Sequence, residues 1–193
     1  MSIENSLEIQ SLLERIAVLD DKLAFEQLFS LYNNKLKRFV MPIIKSKEAA
    51  EDIASDVFVK IWQNRSLLIN IDNINNYLYV SAKNIAIRHL AKLRNCETAT
   101  RLEDIENEKL AMDINPEEIV LNNELINKLE EAVNQLPARC QQIYRLAKQD
   151  GLKYKEIATI LNISVKTIDA QMAIAVCKIT ESIKLAFKEK EER

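Results

Sequence analysis

Apolar residues recur at three-and-four spacing along most of the chain, which predicts a series of amphipathic helices. Leu7, Leu12, Leu13 and Ile16 mark a short opening helix, and Phe25, Leu28, Phe29, Tyr32, Leu36 and Phe39 carry the same period up to Pro42. Ser46 is placed to cap a third helix whose apolar face is Ala50, Ile53, Ala54, Val57, Phe58 and Ile61. A polar interval rich in asparagine, Asn64 to Asn76, shows no helical period, and a fourth helix is predicted from about Asn76 to Asn95. Residues 96–120 lose the period altogether. It returns from about Asn122 to Gln135, breaks at Leu136-Pro137, and runs on to Asp150-Gly151, where the glycine ends the helix. A short helix with Ile157, Ala158 and Leu161 inward, the turn Asn162-Ile163-Ser164 and a Ser-capped last helix then form a helix-turn-helix pattern.

Composition sharpens this into a fold class. Among 193 residues there are one glycine and three prolines, too few breakers for anything but an all-α chain. One glycine builds neither a G-x-G-x-x-G loop nor a Walker loop, which excludes nucleotide chemistry of those kinds. Charge divides the chain further. Residues 96–135 hold 11 acidic side chains against 3 basic, whereas the flanking segments carry a basic excess. The expected architecture is therefore two helical lobes, residues 1–95 and 121–193, joined by an acidic linker over 96–120, with the second lobe ending in the helix-turn-helix.

Candidate chemistry is non-catalytic. The single histidine, His89, falls on an apolar helix face, and three cysteines dozens of residues apart offer no metal-ligand spacing, so no enzyme, metal or cofactor is expected. The thiols fit a reducing, cytoplasmic setting, and no secretory signal or membrane-spanning run is read in the chain. Two charged faces stand out. On the fourth helix Lys83, Arg88, Lys92 and Arg94 lie opposite the arc of Leu78, Ala82, Ile85, Ala86, Leu90 and Leu93, with no acid among them, as phosphate contact requires. On the third, Glu48, Asp52 and Asp56 stand four apart, and each adjacent like-charge pair costs a few tenths of a kcal/mol that a basic partner would remove. The competing explanations are a solvated face for the cations and, for the acids, a helix N-terminus with Asp56 paired to Lys60.

These segments resemble the extracytoplasmic-function group of bacterial RNA polymerase sigma factors. Ala24-Phe25-Glu26-Gln27-Leu28-Phe29-Ser30-Leu31-Tyr32 resembles the opening of that family's second conserved region. Ala49-Ala50-Glu51-Asp52-Ile53-Ala54-Ser55-Asp56-Val57-Phe58-Val59-Lys60-Ile61-Trp62 resembles its most specific motif. Leu136-Pro137, Gly151 to Ala158 and Ser164 to Ile168 resemble its fourth region. The chain departs from the family at Ile174, where arginine is usual, and at Arg88 and Ala91, which replace an acid and an arginine. Promoter preference therefore does not carry across.

The resemblance implies a specificity subunit for core RNA polymerase. Its first lobe would dock on the clamp coiled coil and open the -10 element of promoter DNA. Its second would meet the flap and read the -35 element. Glu48, Asp52, Asp56 and Trp62 are the implied polymerase contacts. Asn70, Asp72, Asn73, Asn75 and Asn76, with Lys83, Arg88, Lys92 and Arg94, would serve the -10 element, where amides can satisfy the edge of an unstacked base. Lys153, Ser164, Val165, Lys166, Thr167, Gln171 and Lys178 would serve the -35 element. An anti-sigma protein is a further implied partner. The rival reading is a helix-turn-helix regulator that binds DNA without entering the polymerase.

The same resemblance threads the acidic linker through the channel later used by RNA, where its carboxylates would imitate a nucleic-acid backbone. Changing Glu103, Asp104, Glu106 and Glu108 to the corresponding amides should leave polymerase binding intact and alter the ratio of abortive to full-length transcripts. Wild-type abortive patterns on the same promoter would show that the linker is only a spacer.

Overall fold

The structure is a computed structural model that describes residues 3–97 and 120–191, with side chains for 7–93 and 126–184. Eight α-helices are formed among the described residues: α1 Ile3–Leu19, α2 Lys22–Ile44, α3 Lys47–Gln63, α4 Ile74–Glu97, α5 Val120–Asn134, α6 Ala138–Tyr144, α7 Tyr154–Leu161 and α8 Val165–Glu191. A 3-10 turn, Arg65–Asn70, joins α3 to α4, and a π-helical turn, Arg145–Gln149, extends α6. The acidic residues Glu103, Asp104, Glu106 and Glu108 lie outside the described residues.

Local chemistry fixes the helix ends of the first lobe. Asp21 caps α2 by accepting from the backbone N–H of Leu23 (2.9 Å) and Ala24 (3.1 Å), and its carboxylate is held by Arg15 at 2.6 Å. Ser46 caps α3 as expected, accepting from Ala49 N–H at 3.2 Å. Every residue assigned to the apolar face of α3 is buried. Three expectations change. Leu7 is 67% exposed, and Ile9 joins the core in its place. Pro42 lies inside α2, which runs two residues further, because a proline there removes only one helical donor while Val40 and Ile44 stay buried on either side. Helix α4 starts at Ile74 rather than Asn76, since the Asn73 side chain accepts from Asn76 N–H at 2.9 Å and so caps the helix.

In the second lobe α5 and α6 pack on α8 around Ala132, Val133, Leu136, Cys140, Ala175 and Ile179. Gly151, at φ 69°, follows the π-helical turn, and Leu152 N–H closes it by donating to Leu146 carbonyl at 3.0 Å. Helices α7 and α8 meet at 106°, within the range of helix-turn-helix pairs. Asn162 makes the turn in the left-handed region (φ 55°), a conformation asparagine tolerates, and Ile163 N–H caps α7 on Ala158 carbonyl at 3.1 Å. Ser164 Oγ then accepts from Thr167 N–H at 3.0 Å to start α8.

The lobes do not stand apart. Helix α7 packs on α4 and α6 on α2, and one buried cluster runs from Leu28, Leu36 and Leu78 of the first lobe to Ile143, Leu146 and Ile157 of the second. Among the described residues no single helix is long and apolar enough to cross a membrane.

Candidate nucleic-acid and polymerase interface

Helix α3 turns its apolar side to α2 and α4, which leaves Glu48, Asp52 and Asp56 exposed on the outside. Glu48 is held below the usual carboxylate range by its own backbone N–H and then by Ser46 Oγ, which donates at 3.0 Å. Asp52 and Asp56 enter no ion pair among the described residues, so the pairing of Asp56 with Lys60 is not formed. Glu51, on the next position round the helix, meets Lys37 at 3.7 Å instead. Trp62 is half-buried. Its ring lies 5.0 Å from that of Phe25, and the Arg65 guanidinium sits 4.9 Å above it.

The asparagine-rich interval is ordered by three separate interactions. Asn70 and Asp72 are exposed. Asn73, as the α4 cap, also donates through Nδ2 to Glu156 of the second lobe at 2.6 Å. Asn75, expected among the DNA-facing amides, turns inward instead: it is 9% exposed and accepts from the Tyr32 hydroxyl at 2.7 Å inside the lobe. Asn76 lines a cavity of about 460 Å³ with Ile71, Asp72, Asn73, Tyr77 and Val80. The Asn76 amide oxygen is buried there and has no hydrogen-bond partner.

The cationic stripe on α4 is shorter than its sequence suggests. Lys83 is turned toward the second lobe, where Nζ donates to Ile160 carbonyl at 2.6 Å, because the end of α7 reaches that position. Arg88 and Lys92 are exposed, and the Arg94 side chain lies outside the described residues. His89 is half-buried. In the helix-turn-helix, Lys153, Ser164, Val165, Lys166, Thr167 and Lys178 are all exposed. Gln171 is only half-exposed, and its backbone carbonyl accepts from the Cys140 thiol at 3.2 Å.

Sequence reasoning missed the residues that join the lobes. Asp150, read only as part of a helix stop, is nearly enclosed, with its side chain 6% exposed. One carboxylate oxygen meets Arg38 at 3.2 Å and the other accepts from the Tyr79 hydroxyl at 2.7 Å. Burial raises the Asp150 pKa, and the Tyr79 and Arg38 contacts oppose that rise. Nearby, Gln142 donates to Phe39 carbonyl at 3.4 Å. The partners are far apart in sequence, so no local signal announced them. Among the described residues no group of three or more His, Cys, Asp or Glu is placed to hold a metal.

Comparison with known proteins matches both lobes. Residues 28–96 fit the family description "Sigma-70 region 2", and residues 126–176 fit "Sigma-70, region 4". The chain is 28% identical over 169 residues to the RNA polymerase sigma-H factor of Pseudomonas aeruginosa, covering 84% of this chain and 87% of that one. It is 26% identical to the ECF RNA polymerase sigma factor SigW of Bacillus subtilis, over 79% and 84% of the two chains. The chain belongs to the sigma-70 family, in its ECF group. A solved complex of the sigma factor RpoE with the anti-sigma factor NepR from Bartonella quintana shares the fold, with a TM-score of 0.62 at 19% identity over 83% of this chain and 96% of that one. The protein is thus a sigma factor for promoter-specific initiation by core RNA polymerase, and the regulator that never enters the polymerase is not favoured.

Both lobes of the sigma factor set the titration of Tyr32. Burial pushes its hydroxyl up to about 12, and the carboxylates of Glu156 and Asp150, both from the second lobe, add to the rise. A pKa raised on folding contributes stability that is fully present below about pH 10, the ordinary tyrosine value, and is lost as pH rises through about 12. Tyr32→Phe should cost about 1 kcal/mol near neutral pH through the lost bond to Asn75, and should lessen the fall in stability above pH 10. Urea unfolding at a series of pH values checks this. Identical pH slopes in the two proteins would show that Tyr32 ionises normally.

Proposed function

We propose that the acidic outer face of α3 is the docking surface for a basic element of the core polymerase, the clamp coiled coil. The observation that carries this reading is the state of Asp52 and Asp56. They stand one turn apart, exposed and unpaired, on a helix whose other face is fully buried. Like charges so placed are unfavourable alone and favourable against a basic partner. Glu48 extends the same face, and Trp62 borders it.

In this reading residues 1–95 form the polymerase-docking and -10 lobe, 96–120 the linker, and 121–193 the -35 lobe, which also meets the flap. The -10 element enters by the cavity beside Asn76. An unstacked base carries amino donors on its edge, and the buried, unpaired Asn76 oxygen is an acceptor for one of them. Asn70, Asp72 and Asn73 rim that entrance, and Arg88, Lys92 and Arg94 follow the backbone along α4. The exposed start of α8, with Val165, Lys166 and Thr167, faces the -35 major groove, while Ser164, Lys153 and Lys178 take flanking phosphates. An anti-sigma protein is proposed as a regulator, since similar solved structures include RpoE with NepR and CnrH with the cytosolic domain of CnrY. The protein acts in the cytoplasm, on polymerase and DNA, without catalysis or cofactor of its own.

Reversing the face with Asp52→Lys plus Asp56→Lys should abolish co-purification with core polymerase and leave helicity near wild type, because exposed charge changes move stability by less than about 0.5 kcal/mol. Retained affinity would sink the docking assignment. For the second lobe, Gln171→Ala should relax discrimination at one base position by about 1–3 kcal/mol. Lys166→Ala should weaken all sequences and reduce the salt slope by about 1. Unchanged promoter selection and salt dependence in both variants would reject this orientation of α8.

A further inference from the structure

We propose that Ile174 is a specificity-determining residue of the -35 contact, where it reads the C5-methyl group of a thymine in the major groove. The inference rests on the reading of α8 as the -35 helix. At about 100° per residue, Thr167, Gln171, Ile174 and Lys178 fall at i, i+4, i+7 and i+11 and form one row along α8. Three members of the row are polar, and that reading sets them against DNA. The fourth is an isoleucine, 42% exposed, on a helix whose other side buries Ile168, Met172, Ala175 and Ile179. Core packing therefore does not account for Ile174.

The chemistry of that position selects the base. In the major groove guanine, adenine and cytosine offer a side chain hydrogen-bonding groups, and thymine alone adds a methyl group that an apolar side chain can cover. Isoleucine has neither donor nor acceptor on its side chain, so against the other bases it would strip water from a polar edge without replacing the hydrogen bond. Ile174 lies about 4.5 Å further along the helix axis than Gln171, at about 1.5 Å per residue. Base pairs are about 3.4 Å apart, so Ile174 meets an edge about one pair beyond the one that Gln171 reads. Ala170 and Ala173, exposed on the outer side of the same helix, carry only methyl side chains and let its backbone come close to the base edges. A protein partner is less well matched. Val176 is 51% exposed but lies about 160° round the helix, so it does not join Ile174 in one apolar patch.

The test uses holoenzyme assembled from core RNA polymerase and the full chain. Promoter duplexes with the -35 base pairs randomised are selected for binding and sequenced. The wild-type holoenzyme should enrich thymine, on either strand, at one -35 position. Ile174→Ala, a change at an exposed site that should leave helicity near wild type, should lose that preference and keep the others. Val176→Ala, on the far side of α8, should select as the wild type does. The enriched duplex is then made with uracil in place of that thymine, which removes the methyl group and preserves base pairing. Wild-type affinity should fall about fourfold, the worth of burying one methyl group. Ile174→Ala should bind the two duplexes equally.

Equal wild-type affinity for the thymine and uracil duplexes overturns the methyl contact, as does a selected -35 element that contains no thymine. Loss of the same preference in Val176→Ala also overturns it, because the effect then belongs to α8 as a whole. Unchanged selection by Ile174→Ala together with weaker holoenzyme assembly would set a protein against Ile174 instead of DNA. Failure of the underlying -35 reading is seen separately: the wild-type holoenzyme then enriches no -35 sequence, Lys166→Ala leaves DNA binding unchanged, and the inference falls with that reading.

Discussion

Helix α2 is the member on which the other elements depend. It buries Ala24, Leu28, Tyr32, Leu36, Phe39, Val40 and Ile44 while touching α1, α3, α4 and α6. A 23-residue helix buried on more than one side must be held at both ends, and it is: Asp21 caps its start and Lys45, in the left-handed region, closes its end with N–H to Met41 carbonyl at 2.8 Å. Because α3 gives its entire apolar face to this helix and to α4, its acids have nowhere to point but outward. The acidic face is the complement of the core.

The same hub sets the start of α4 and the cavity beside it. Tyr32 of α2 reaches Asn75 and fixes the first turn of α4 from inside. Asn73 caps that turn from outside, and the 3-10 turn is anchored by Leu68, which is 1% exposed. The cavity beside Asn76 thus has walls set by packing and capping. Its amide oxygen carries the cost of burial without a partner, a cost most buried polar groups avoid.

The junction between the lobes joins two different kinds of interaction. Apolar side chains provide non-directional attraction, while Asp150, Asn73, Lys83 and Gln142 tolerate only one register. A buried carboxylate is costly to bury, and its two partners offset part of that cost. Such a junction draws its attraction from the apolar side chains and its specificity from the polar ones.

How far the sequence reached follows from the range of each interaction. Interactions made within a few residues were legible: the Ser46 cap, the buried face of α3, the Asn162 turn, the Gly151 stop and the Ser164 cap. The exact cap of α4 was not, because Asp72, Asn73, Asn75 and Asn76 are all capable cap or turn residues and only the packing of Ile74, Leu78 and Tyr79 selects Asn73. The sequence by itself therefore determined the helices, the helix-turn-helix, the outward acids and the family. Tertiary structure alone decided that Asn75 turns inward to Tyr32, that Lys83 is taken from the cationic stripe, and that Asp150 joins the lobes. Each of those three depends on partners 43 to 112 residues away. Hydrophobic periodicity records which face of a helix is buried, and it carries no information about which distant polar group will meet that face once it is covered.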